Sequence, residues 1–169
     1  MKDSSSASQG VFAGLEELQT GDAGAHKLAL MLESSPLFRG FSHGDLSRIA
    51  AFLHAYRVRQ ETILYRANEY TDYLAIVVQG SLRACAEGKR DGARHCATIS
   101  QGETCGEAAF VSHQAQPATV TAAAATIIAT LDSGALTRLR EQWPRLGVRL
   151  VRAIAEQLTR NLPGGAAPA

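Results

Sequence analysis

The sequence predicts an α+β fold, mainly β: a sandwich or rolled barrel of short strands with helices at both ends. Three observations carry this. Apolar residues recur at helical spacing up to about residue 53 and again after Asp132. Between them lie short runs rich in Val, Ile, Tyr and Thr, punctuated by Gly and Asn. So many short strands separated by turns fit a closed or double-layered β architecture better than an open sheet.

Taken in order, residues 11–33 read as helix in two pieces, broken near Thr20-Gly21-Asp22. Leu28, Leu30, Met31 and Leu32 give the second piece an apolar side, and Ser35-Pro36 ends it. Ser42 then caps a helix running to Leu53, with Leu46, Ile49, Ala50 and Leu53 on one face. Thr62–Tyr65, Tyr73–Val78, Ser81–Ala86, Arg94–Ile99, Ala118–Ala124 and Thr126–Leu131 read as strands. The run Leu74-Ala75-Ile76-Val77-Val78 is apolar on both faces, as a central strand requires. Asp132 or Ser133 caps a short helix over Gly134–Gln142, and Pro144 sits early in a last helix reaching Leu162. Leu146, Val148, Leu150, Val151, Ile154, Leu158 and Leu162 sweep about half of that helix's circumference, with Arg145, Arg149, Arg152, Glu156 and Arg160 opposite. A stripe this wide suits both the β layer and a second copy, so a homodimer through residues 145–162 is expected.

The length of 169 residues fits one domain. It is read as a disordered Ser-rich stretch over 1–10, a single domain over 11–162 and a flexible tail over 163–169. Within the domain, helices cover 11–54, strands 55–131 and helices 132–162. A hydrophobic fraction of 46% with 20% charged residues is ordinary for a soluble domain, and a net charge of +1 gives no pull toward nucleic acid or anionic lipid. No apolar run is long enough to span a bilayer, and the polar start MKDSSSASQG is no secretory leader. Cys85, Cys96 and Cys105 are odd in number and lack C-x-x-C spacing, so reduced thiols in a cytoplasm are expected.

Five segments resemble the cyclic-nucleotide-binding domain family. They are Leu37-Phe38-Arg39-Gly40-Phe41-Ser42 with Asp45-Leu46; Asp72 through Leu82; Gly102 with Cys105-Gly106-Glu107; Ala118-Thr119-Val120; and Leu131-Asp132 with Leu136 and Leu139. The likeness covers roughly residues 30–162. It implies an antiparallel double-stranded β-helix, or jelly-roll, with flanking N- and C-terminal helices, as in the catabolite activator protein and kinase regulatory subunits. It also implies a ligand pocket built from Gly106, Glu107, Ala108, Gln116, Pro117, Ala118 and Thr119.

In that family a short helix starts at the G-E pair and turns its first amides toward the cyclic phosphate. Gly106 would allow close backbone approach, and Glu107 would accept the ribose 2′-hydroxyl, although a carboxylate also suits a helix N-terminus. The family's phosphate arginine stands in a pattern P-R-x-A-T-V. Here that position holds Gln116, followed by Pro117, so a charge-assisted fork is replaced by one neutral amide. His113, Arg66 and Arg83 are the candidate replacement cations, and Arg149, Arg152 and Gln157 candidate base contacts. Turn glycines common in the family are replaced at Arg59-Gln60-Glu61 and Ala67-Asn68-Glu69, where Asn68 can still turn left-handed.

Other classes fit less well. Only seven residues follow Leu162, too few for a helix-turn-helix, so no direct DNA binding is expected. The cysteines do not suit an iron–sulfur cluster, and His95 lacks the clustered partners of a metal-binding cupin. No catalytic residue, metal or resident cofactor is expected. Two functions remain: a regulatory sensor of a cyclic nucleotide that signals through its last helix to an effector protein, or a ligand-free scaffold with a decayed pocket.

Overall fold

Alternation along one strand sets the layering. In β4 (Tyr73–Gln79), Leu74, Ile76 and Val78 join a cluster with the helices, while Tyr73, Ala75 and Val77 join a cluster between the sheets. Side chains of period two on a strand buried on both faces divide in this way. A computed structural model describes residues 12, 15–18, 22–88 and 92–161. The stretches expected as a disordered start and a flexible tail lie outside the described residues.

One sheet has the order β1 (Glu16–Leu18), β2 (His54–Val58), β9 (Thr126–Asp132), β4 and β7 (Thr104–Cys105). The other has the order β3 (Ile63–Tyr65), β8 (Thr119–Ala122), β5 (Leu82–Glu87) and β6 (Arg94–Ile99). All recorded pairings are antiparallel, so the expected α+β fold with a jelly-roll of antiparallel strands between helices is the one observed. Val58, Leu64, Tyr65, Val77, Leu82, Val120 and Ile128 fill the space between the sheets.

The helices are α1 (Asp22–Leu32), α2 (His43–Ala50), α3 (Glu107–Ser112), α4 (Ser133–Gln142) and α5 (Pro144–Asn161). Ser42 caps α2 in a reciprocal box: its hydroxyl accepts from the Asp45 amide at 3.1 Å, and its own amide donates to Asp45 at 3.2 Å. Asp132 caps α4 by accepting the Ala135 amide at 2.7 Å. Leu146, Leu150 and Ile154 of α5 pack with Leu28, Leu32, Leu46 and Ile49 over the outer face of the first sheet.

Two expectations change. Glu16–Leu18, read as helix, is an edge strand. It pairs Leu18 with Ala55, while Glu17 meets His54 at 2.9 Å and Glu16 meets Arg57 at 3.2 Å. Non-local pairing outweighs local helix preference here. The cysteines are not all thiols either. Cys85 and Cys96 stand opposite each other in the β5–β6 register and form a disulfide, leaving Cys105 as the buried free cysteine. Among the described residues no helix is long and apolar enough to cross a membrane.

Candidate functional site

β7 lies at the edge of the first sheet and pairs with β4, and the residues leading into it are bonded to Val77 of that strand. Gly102 donates to Val77 O at 2.7 Å, and Val77 donates to Glu103 O at 2.9 Å. The chain then turns through Gly106, at φ +87°, into α3. A Cβ built on Gly106 would lie 2.7 Å from the Tyr65 hydroxyl and 3.1 Å from Tyr73 O. This glycine therefore clears Tyr65, a residue of the fold itself, which the motif alone did not reveal. Tyr65 has no room to yield: its hydroxyl donates to Tyr73 O at 3.2 Å, and its ring stacks on Tyr73 at 4.8 Å.

Past that turn, the amides of Glu107, Ala108 and Ala109 have no carbonyl partner inside α3, as at any helix start. Glu107 is 6% exposed and accepts the Thr104 hydroxyl on Oε1. Burial, and next the neighbouring Glu107 carboxylate, push the Cys105 thiol far above its ordinary range, so it stays protonated and a poor nucleophile. Burial likewise raises Tyr65 well above its usual value.

The opposite wall is the segment entering β8. Gln116 is clamped to the loop after β3 by a two-way exchange: Asn68 donates to Gln116 O, and Gln116 donates to Glu69 O, both at 2.8 Å. Its side chain is 4% exposed, and Nε2 donates to Thr71 Oγ1 at 2.5 Å. Gly106, Glu107, Gln116, Pro117 and Ala118 line one cavity of about 310 Å³, with Thr98, Ile99, Ala84 and Val120 among its other walls.

Ala108 and Thr119 are not among the lining residues. Thr119 alternates with Ala118 and Val120, so it faces away and accepts the Ala67 amide at 3.1 Å. The candidate cations are also elsewhere. His113 is exposed at the end of α3, Arg66 is exposed and absent from the lining, and Arg83 faces Glu61 at 3.7 Å. Arg149 bonds Asp45 at 2.9 Å and Gly40 O at 3.0 Å, while Arg152 bonds Glu156 at 2.9 Å. Gln157 is buried and outside the lining. The two turns that lack glycine keep their left-handed geometry, with Glu61 at φ 64° and Asn68 at φ 67°.

Sequence reasoning missed Thr98, Glu103 and Thr104 as lining residues. Thr104 had a readable signal, standing just before the Cys105-Gly106-Glu107 motif. Thr98 did not, because its place depends on the β5–β6 register.

A roll of two antiparallel sheets with a G-E turn facing a second loop across one cavity defines a class of ligand-binding module. The family model for the cyclic nucleotide-binding domain matches residues 56–142, and the chain belongs to that family. It is similar to patatin-like phospholipase domain-containing protein 7 of Mus musculus, 27% identical over 151 residues, covering 85% of this chain and 11% of that protein. The chain thus spans about a tenth of the length of that relative. In fold it resembles a cyclic nucleotide-binding domain from Methylobacillus flagellatus at TM-score 0.78, with 20% identity over 95% of this chain and 89% of that one. It also resembles the regulatory subunit of a cAMP-independent protein kinase A from Trypanosoma brucei at TM-score 0.66, with 18% identity over 83% and 49%. A triple mutant of that subunit is described bound to cAMP in its A site, at the same score and identity, over 84% and 49%.

Proposed function

We propose that the chain is a regulatory sensor module whose roll takes a cyclic-nucleotide-type ligand between the Gly106-Glu107 turn and the Gln116–Ala118 segment. One observation carries this: the two motif segments, nine residues apart in sequence, face each other across a single cavity of about 310 Å³. That volume is at the lower end of the range for small-molecule sites. Gln116 in place of an arginine alters affinity or ligand identity. The loss of a charge-assisted contact to phosphate is worth about 1.5–3 kcal/mol, or roughly ten- to a hundredfold. A kinase regulatory subunit described as cAMP-independent offers precedent for this fold without ordinary cAMP dependence.

The output runs through the last helix. α3 packs on α5, and Phe110 of α3 belongs to the same cluster as Leu146, Leu150 and Ile154. A ligand that reorders the start of α3 biases α5 if it binds its two positions unequally. An effector protein, without direct DNA or membrane binding, would read that change. The test is hydrogen exchange on the full chain with and without cAMP, cGMP or cyclic di-GMP. Protection of residues 104–118 together with altered exchange in α5 supports the sensor, and unchanged exchange with every ligand refutes it.

A second reading is favoured by the outer face of α5, where Val148 is 63% and Val151 38% exposed. There the chain is a ligand-free scaffold that dimerises through residues 145–162. Light scattering on wild type and Val148→Glu/Val151→Glu decides: a dimer that the variant converts to monomer supports this function, and a monomeric wild type removes it.

A further inference from the structure

A disulfide backs one wall of the cavity. β6 is the end strand of its sheet and, among the described residues, pairs with β5 alone. Its residues from Arg94 to Thr98 are exposed, and Ile99 is the one partly buried against the core between the sheets. Yet Ala97, Thr98 and Ile99, with Ala84 of β5, line the cavity. A strand with so little buried apolar surface sits at the low end of local stability, held by its backbone ladder and by any covalent tie. The tie here is Cys85–Cys96. That pair is next in register to Ala84 and Ala97, so alternation puts the sulfurs on the outer face, behind this stretch of wall. Cys96 is exposed, whereas Cys85 is 6% exposed.

Resting on the pocket reading above, we infer that Cys85–Cys96 is a thiol-exchange site whose redox state sets how firmly β6 closes the cavity. The unequal exposure orders the events. A small thiolate attacks the Cys96 sulfur and forms a mixed disulfide there. The Cys85–Cys96 bond breaks, and its electron pair leaves on Cys85, which takes up a proton. A second small thiolate attacks the reagent sulfur of the mixed disulfide, releasing Cys96, which is protonated, and the reagent as its own disulfide. Two small thiols thus give two electrons and two protons to the protein. Reduced, β6 keeps its ladder with β5 but loses the tie, and the wall of Ala97, Thr98 and Ile99 opens more often. The reductant works from the outer face and never enters the cavity, so redox state and ligand act on opposite sides of one sheet.

Cys105 is a built-in probe. It lines the same cavity, is buried, and is the remaining thiol both in the oxidised chain and in Cys85→Ser/Cys96→Ser. Its alkylation by N-ethylmaleimide is followed by mass spectrometry in both full-length proteins, well below their melts and at several low urea concentrations, with hydrogen exchange of residues 94–99 measured alongside. Both rates are expected to be about tenfold or more faster in the variant and flat at low urea, as local opening requires. Dithiothreitol should speed β6 exchange in the wild type and leave the variant unchanged. Equal rates in the two proteins overturn the inference. So does acceleration that climbs with urea and spreads evenly over β4 and β9, the mark of global destabilisation. A chain that keeps three titratable thiols after mild oxidation overturns it too. Calorimetry of both proteins with cAMP, cGMP and cyclic di-GMP separates this inference from the reading beneath it. Affinity changed by about fivefold or more on loss of the disulfide supports the inference, and unchanged affinity overturns it. Silence of every ligand in both proteins overturns the pocket reading, while the alkylation rates still decide whether β6 moves.

Discussion

Gly106→Ala separates a glycine kept for the fold from one kept for a ligand. Two costs are legible. At φ +87° an L-residue is in the left-handed region, worth about 1–2 kcal/mol against a side chain. The new Cβ would also lie 2.7 Å from the Tyr65 hydroxyl and 2.9 Å from its Cζ. Tyr65 is 1% exposed, stacked on Tyr73 and hydrogen-bonded, so the strain cannot dissipate cheaply. Overpacking of this kind costs about 1–3 kcal/mol. Gly40→Ala is the internal control: its φ is +85°, yet nothing lies within 4 Å of the added Cβ. The control should lose about 1–2 kcal/mol and Gly106→Ala about 2–5 kcal/mol. At roughly 2–4 °C per kcal/mol, the latter drops Tm by about 5–20 °C. Urea denaturation followed by Trp143 fluorescence measures both. A Gly106→Ala protein no more than about 0.5 kcal/mol worse than Gly40→Ala would refute the steric reasoning. Normal stability with lost ligand binding would assign the glycine to the ligand.

Three further outcomes are expected. Reducing Cys85–Cys96, which closes a loop of sequence separation 11, should cost about 3 kcal/mol. Tm then falls by roughly 6–12 °C on adding dithiothreitol, and a Cys85→Ser/Cys96→Ser protein should not respond to the reductant. Asp45 is held below its usual value; burial alone would raise it, but hydrogen bonds from Arg149 and from Ser42 outweigh burial. A depressed carboxylate stabilises above its unfolded value near 3.9 and loses that contribution as pH falls through the folded one, so acid titration below about pH 4 should unfold Arg149→Met less steeply than wild type. Glu61→Gly relieves a left-handed turn at φ 64° and should stabilise by about 0.5–1 kcal/mol in urea melts, since glycine's greater unfolded-state entropy offsets part of the relief.

Much of the fold is readable because local and global signals agree. The double-sided apolar run at 74–78 is the buried strand β4, and Ser42 and Asp132 cap the helices their spacing implies. What escaped depends on register. The strand Glu16–Leu18 exists only through its pairing with β2, and no local pattern in Glu-Glu-Leu announces it. The disulfide had no signal in the spacing alone: Cys85 and Cys96 stand opposite each other only once Leu82–Glu87 and Arg94–Ile99 are paired as neighbouring antiparallel strands. In the site, alternation places Ala118 and Val120 inward and Thr119 outward. Taking Ala118 and Thr119 together from a family motif overlooks that period.

The motif that first suggests a ligand is also the one the fold explains without a ligand. Gly106 clears Tyr65, and Glu107 receives the Thr104 hydroxyl, so both residues have work inside the protein. Their presence alone therefore does not decide between a working pocket and a decayed one. Gln116 is different in kind. Its backbone is fixed by Asn68 and Glu69, yet its side chain reaches the cavity wall and a shorter residue would satisfy the same backbone bonds. Its amide is buried and donates to Thr71, so the forked cation of the family pattern has no counterpart at this position. It follows that substitutions at Gln116, where the fold holds the backbone and one side-chain bond to Thr71, discriminate between sensor and scaffold more cleanly than substitutions at Gly106 or Glu107, where loss of binding and loss of structure arrive together.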